Sequence, residues 1–308
     1  MAESFDIAKV EEDPLAEVNL TVFYEQIKEA YDILHYTSYF TDTIKFLLCI
    51  ISIVADICII TIITKNPKLK TVTNRYILHY SIWHIVFMVF FPMFFVLFNQ
   101  LHLVDILKSV IPFIIFKINS ISLSLLFLVG LCLALDWFLN IYSPHFSKSS
   151  ALFNKYGIYL LYSIDALIFI IGCIVEVFIL NGLYYFVALC LLVFNFLHYR
   201  SNKNENNLKN YGLIPANIIV FFWLPLFIHD ELLMWSIGSC TLYITVLYTM
   251  FLADWFSLTM SLVLIIALIR MDINIKVAML KLFNRRNIRY NNDVETLEKA
   301  ENDGVETM

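Results

Sequence analysis

Long apolar runs broken by short polar turns dominate this chain, and their lengths decide what they can be. Runs near 44–64, 75–99, 109–142, 155–180, 183–199, 211–228 and 240–269 are mainly apolar. Each supplies at least the roughly 17–25 residues a spanning helix needs. Inside hydrocarbon a backbone N–H or C=O has no water to bond, so each run must satisfy its own groups as a helix. The pattern therefore predicts an all-α membrane protein, a seven-transmembrane helix bundle over 44–269. Before it, Tyr24, Ile27, Tyr31 and Leu34 recur at helical spacing, which fits either a short amphipathic helix at the membrane mouth or a disordered acidic leader. After it, the residues from Ile273 to Phe283 alternate apolar and basic side chains. That suits an amphipathic basic juxtamembrane helix over 270–290, basic face toward anionic lipid. Residues 291–308 are polar and acidic and read as a disordered tail.

Composition agrees. Sixty per cent of residues are apolar and 15% charged, against roughly 45–50% and about 25% in soluble domains. Basic residues give the expected orientation, because Lys and Arg near helix ends stay cytoplasmic. Sixteen of the 21 fall in the first, third and fifth turns or after the last run, among them Lys65, Lys68, Lys70, Arg75, Arg200 and Arg270. The amino terminus is expected outside and the carboxyl terminus in the cytoplasm. Residues 1–43 then form an extracellular acidic segment without the basic and apolar regions of a cleavable signal peptide, and Asn19-Leu20-Thr21 is a glycosylation sequon on the outer face. The six cysteines, Cys49, Cys58, Cys132, Cys173, Cys190 and Cys240, lie in or beside the runs and read as buried thiols.

Three landmarks carry a resemblance. Ala55-Asp56 is followed by the basic turn Asn66-Pro67-Lys68-Leu69-Lys70-Thr71-Val72-Thr73-Asn74; Asp136-Trp137-Phe138-Leu139-Asn140-Ile141 leads to Pro144; and Phe222-Trp223-Leu224-Pro225 lies in the sixth run. In this order they resemble the rhodopsin-like G-protein-coupled receptors, over roughly residues 44–285. The resemblance implies a plasma-membrane receptor, not an enzyme, that passes an extracellular ligand signal to a heterotrimeric G protein by movement of the sixth helix. It implies no cofactor and no metal, and no nucleic-acid partner is expected.

The departures from that family matter as much. Aligning the first turn puts Asp56 where the family carries Asn and His84 where it carries Asp, so the acid has changed helices. Leu126 stands where a sodium-site hydroxyl is usual, and no sodium site is expected. An acid at mid-bilayer costs roughly 2.5–3.5 kcal/mol on insertion scales and takes a partner inside the bundle. An Asp56–His84 hydrogen bond or ion pair is the expected core polar network. Asp136 keeps the acid of the Asp-Arg-Tyr motif, but Trp137 replaces its switching arginine and reads as an interfacial anchor. Trp223 and Pro225 match the sixth-helix motif, where proline removes a backbone donor and makes a hinge. Asp136, Trp137, Trp223 and Pro225 are the candidate switch residues. The family's outer disulfide is missing, since Pro112 occupies its third-helix position and the second outer loop is expected at Asn181-Gly182. The seventh helix lacks the Asn-Pro-x-x-Tyr motif around Ser261.

In this architecture a ligand pocket would open outward between the third, fifth, sixth and seventh helices. Lys117, Asn119, Trp223 and Asp254 are the candidate ligand contacts, with Glu176 a further acid. Asn119 stands where amine receptors carry Asp, which argues against a cationic amine there. The ligand could be small, lipid-like or a peptide. Two other classes remain. A receptor-like protein that does not couple fits Trp137 and the lost seventh-helix motif. A transporter or channel would use Asp56, Asp165 and Asp254 as an ion path, though no internal repeat supports it. His79 and His84, five apart, lie roughly 140° around a helix, so they do not share a face.

Overall fold

The computed structural model describes residues 14–100, 110–141, 143–174, 178–201, 211–236 and 239–283, and every regular element among them is helical. Among the described residues seven helices are long and apolar enough to cross a membrane: His35–Lys65, Val72–Phe98, Ile111–Ile141, Lys148–Ile171, Leu180–Arg200, Leu213–Ser236 and Thr241–Met271. The protein is a multi-pass membrane protein. Large apolar side chains such as Tyr159, Leu189 and Phe196 stand exposed on the fourth and fifth spans, where hydrocarbon rather than water is the fitting neighbour. The first span starts at His35 rather than 44, and the sixth runs to Ser236 rather than 228. Hydropathy marks the apolar centre of a helix, whereas backbone hydrogen bonds carry it further.

The first helix runs unbroken from Pro14 to Lys65, about 78 Å at 1.5 Å per residue. It passes through the expected boundary at residue 43, so the later part of the acidic segment and the first span form one rod. Asn19 lies on that rod, and its side chain falls outside the described residues. Asn181 and Gly182, expected to form a loop, are instead helical, because the fourth helix is Ser143–Ile174 and the fifth is Phe178–Ser201. The short connection between them, with Glu176, lies outside the described residues, as does the tail from residue 284.

Among the described residues three helices are interrupted. The second contains a π-helical turn at Val89–Met93 around Pro92, whose missing N–H and bulky ring disturb the regular ladder. The sixth breaks between Leu213–Phe221 and Leu224–Ser236, one turn before the carbonyl ladder would need an N–H from Pro225. The seventh breaks at Thr259, between Cys240–Leu258 and Met260–Met271. No proline lies there; the Ser52 hydroxyl of the first span donates to the Leu258 carbonyl instead, a side chain inserted into the ladder.

The third span is the hub, packed against the second, fourth, fifth and sixth, while the first packs on the second and on both halves of the seventh. Leu126, Phe127, Leu133, Ile219, Val220, Met260 and Leu264 are fully buried at its centre. The second and fourth spans approach closely at Gly157, where a Cβ would come within 2.1 Å of the Tyr76 hydroxyl. A short surface helix, Ile273–Phe283, follows the seventh span, and the Asp272 carboxylate accepts from the Asn274 N–H at its start, 2.8 Å away. Ile275 and Ala278 bury against the bundle while Lys276 and Lys281 stay exposed.

Candidate functional site

Asp56 and His84 meet at the centre of the bundle, both with no exposed surface. His84 Nδ1 lies 2.6 Å from Asp56 Oδ2. Ser261 from the lower seventh span donates to Asp56 Oδ1 at 2.8 Å, and its oxygen lies 2.8 Å from His84 Nδ1 and 3.1 Å from the Tyr80 hydroxyl. One assignment gives every hydrogen a place: Tyr80 O–H to Ser261, Ser261 O–H to Asp56, and His84 Nδ1–H to Asp56. His84 Nε2 has no partner, so the ring is anchored through one nitrogen and through its stacking on Tyr80 at 5.3 Å. The network ties the first, second and seventh spans just below the Thr259 break. His79, as its angular offset requires, faces elsewhere: its Nδ1 lies 2.8 Å from the Tyr162 hydroxyl, which also accepts from Trp83 Nε1 at 3.1 Å.

The motif that carries the family resemblance builds the basic end of the bundle. Leu69 is buried in the turn Pro67–Leu69. The Thr71 hydroxyl caps the second helix by accepting from the Asn74 N–H at 3.2 Å, which satisfies one of the free donors of a helix start. Thr73 donates to Asp136 Oδ2 at 2.6 Å, and Asn140 donates to Asp136 Oδ1 at 3.2 Å. The Asn74 amide donates to the Leu69 carbonyl at 3.0 Å and accepts from the Tyr211 hydroxyl at 2.7 Å. Burial pushes the Tyr211 phenol above its ordinary range, with Asp272 adding to the rise. Turn, second span, third span and the foot of the sixth are thus joined through four side chains.

Trp137, expected as an interfacial anchor, is 3% exposed and packs edge-on against His198 of the fifth span, ring centres 5.4 Å apart. Gly212 at the foot of the sixth span fits beside it. A Cβ there would come within 2.8 Å of the Leu133 carbonyl and 3.1 Å of Trp137 Cβ. Where the family carries a mobile arginine, this chain has a wedge between the third, fifth and sixth spans. Above it, Asn195 and Asn217 exchange two amide hydrogen bonds, 2.7 and 2.8 Å, between the fifth and sixth spans.

Trp223 sits at the sixth-span break, 2% exposed, with Phe87 edge-on at 5.1 Å and Phe127 at 6.2 Å. With so little accessible surface it adjoins packed rings rather than open space. Phe87 also stacks on His84, 6.2 Å away. An aromatic path therefore leads from Trp223 to the Asp56 network. The other candidate ligand contacts have partners or surroundings of their own. Lys117 lies over the Phe113 ring at 5.3 Å, and Asn119 Oδ1 is buried without a partner. Asp254 forms an ion pair with Lys45 of the first span at 2.6 Å. Asp165 accepts from Ser124 of the third span. Among the described residues no group of three His, Cys, Asp or Glu side chains could hold a metal ion, and Cys49, Cys58, Cys132 and Cys190 are free.

Sequence reasoning missed Ser261, Tyr80, Tyr211, Lys45 and the Asn195–Asn217 pair. Lone hydroxyls and amides in apolar runs carry no signal of their partner. No protein-family profile matches the chain, and no curated protein is significantly similar to it.

Proposed function

We propose that this chain is a divergent rhodopsin-like G-protein-coupled receptor of the plasma membrane, amino terminus outside, that relays an extracellular ligand to a heterotrimeric G protein through movement of the sixth span. The observation that carries the reading is the bond from Thr73 to Asp136 together with that from Tyr211 to Asn74. The residues that make the sequence resemble the family also hold the inner ends of the second, third and sixth spans together. A break at Phe222–Trp223, just before Pro225, gives the sixth span a hinge above that junction. Bistable elements of this kind, a packed junction and a hinge, are what transmit ligand binding elsewhere.

A second reading within the fold has its own support. Trp137 wedged between His198 and Gly212 closes the inner end by packing rather than by a breakable ion pair. A receptor-like protein held shut in this way would bind ligand without coupling.

One experiment separates the two. The chain is expressed in cells carrying G-protein activation reporters, and wild type is compared with Trp137→Arg and with Trp137→Ala, which opens the same space without burying a charge. A rise of at least threefold in basal signal in either well-expressed variant supports a muted receptor. Silence in all three supports the non-coupling reading. Epitope tags at the two ends test the topology, and finding both on one side ends the receptor reading.

A further inference from the structure

A cleft of about 390 Å³ lies between the first and second spans at the basic end of the bundle. Its volume falls within the roughly 300–1,000 Å³ of small-molecule sites. Ile63 and Thr64 line it from the first span, Lys70 and Thr71 from the turn, and Arg75 and Leu78 from the second span.

The lining has a charged side and an apolar side. Lys70 and Arg75 are exposed, and among the described residues neither is ion-paired and no carboxylate lines the cleft with them. The Thr71 hydroxyl accepts from the Asn74 N–H at 3.2 Å. Among the described residues its own hydrogen has no acceptor, so it can donate. The second helix starts beside it at Val72, and a helix N-terminus adds partial positive charge. Thr64 differs, because its hydrogen goes to the Ile60 carbonyl at 2.7 Å and leaves it an acceptor only. On the span side Ile63 is buried and Leu78 half-buried. Exposed apolar side chains carry that wall on into the membrane: Ile57, seven residues before Thr64 on the first span, and Ile82, four residues after Leu78 on the second. At those spacings each pair shares a helix face.

We propose that this cleft holds an anionic phospholipid whose head is a phosphomonoester. Such a group carries about −1.5 to −2 charge at pH 7 and three acceptor oxygens. Two cations and a hydroxyl donor, with no acid among them, suit it better than they suit a diester of single charge. The Arg75 guanidinium presents a planar fork to two of the oxygens, and the acyl chains lie along Leu78, Ile57 and Ile82. A soluble phosphate would leave that apolar strip unused, which is why the occupant is a lipid. Lodged there, the headgroup fixes the start of the second span, from which Thr73 and Asn74 reach Asp136 and Tyr211. The site requires only the bundle, whether or not it couples to a G protein.

The test is native mass spectrometry of the full chain in a neutral detergent, which counts the lipids bound to each protein. Phosphatidic acid, phosphatidylserine with the same acyl chains, and glycerol 3-phosphate are titrated separately at one ionic strength. Phosphatidic acid fills one site at least tenfold more tightly than phosphatidylserine, a diester with a single net charge. Glycerol 3-phosphate, the same monoester without chains, does not bind where phosphatidic acid saturates. Lys70→Gln combined with Arg75→Gln weakens phosphatidic acid at least tenfold. Each single change weakens it at least threefold, which keeps the test if the double variant fails to fold. Arg200→Gln combined with Arg270→Gln removes two other exposed cations, at the ends of the fifth and seventh spans, and changes the affinity less than twofold. Equal affinity for the two lipids, or equal loss in the two double variants, overturns the proposal, because diffuse attraction of a basic surface to anionic lipid gives both. Unchanged affinity in the Lys70 and Arg75 variants overturns it as well. Glycerol 3-phosphate bound as tightly as the lipid would overturn the lipid and make a soluble phosphate the occupant.

Discussion

His84→Asp is the sharpest test of the buried core. In the native protein the Asp56 carboxylate, with no exposed surface, takes hydrogen bonds from His84 at 2.6 Å and from Ser261 at 2.8 Å. Replacing the imidazole by a second carboxyl removes the stronger donor and sets two acids side by side. Breaking a buried pair by removing one partner costs roughly 3–5 kcal/mol, because the remaining charge is left uncompensated. Asp56→Asn alone keeps the oxygen acceptor and puts an amide N–H₂ near donors, a loss of about 1–2 kcal/mol. The two changes together leave one acid facing one amide, with an N–H available to donate across the gap. The double variant should therefore be more stable than His84→Asp alone, with a coupling of about 2–3 kcal/mol, at the upper end of what contacting residues show. Unfolding of the purified proteins in one detergent, followed by tryptophan fluorescence, supplies the four values of the cycle. Additivity within about 0.5 kcal/mol, or a double variant no more stable than His84→Asp, would refute the pairing as the organising feature of this core.

Other outcomes follow from the same geometry. Gly157→Ala puts a methyl group 2.1 Å from the Tyr76 hydroxyl and should cost about 1–3 kcal/mol as overpacking; Tyr76→Phe in that background should recover part of the loss in the same unfolding assay. The Tyr211 phenol is raised by burial, so the folded state holds a proton that the unfolded chain gives up above its ordinary value near 10. The contribution is present below that pH and is lost as pH rises toward the folded value. Tyr211→Phe should make the alkaline decline in stability shallower by up to about 1.4 kcal/mol per pH unit, measured as unfolding midpoint against pH.

The seven helices and the basic turn were legible because their signals are local: run length, a proline, a few residues in fixed order. The Asp56–His84 contact was legible for a different reason, since an acid in lipid must find a partner and the second span offered one. Ser261 and Tyr80 complete that contact but look, in sequence, like any hydroxyl in an apolar run. Lys45 and Asp254 are 209 residues apart, and nothing in either neighbourhood names the other. The place of Trp137 near the end of an apolar run says depth and not direction; only the packing of Gly212 and His198 around it turns it inward. The Thr259 break has no signal in the sequence, because the usual proline is absent and a serine from another helix acts in its place.

Asn195 and Asn217 set a condition on any motion of this bundle. If the lower half of the sixth span swings outward, either two amide bonds part in a place where lipid offers no substitutes, or the fifth span travels along. The second course costs less. The two helices should then behave as a single paddle, and any gap at the basic end would widen along the third span rather than between the fifth and sixth.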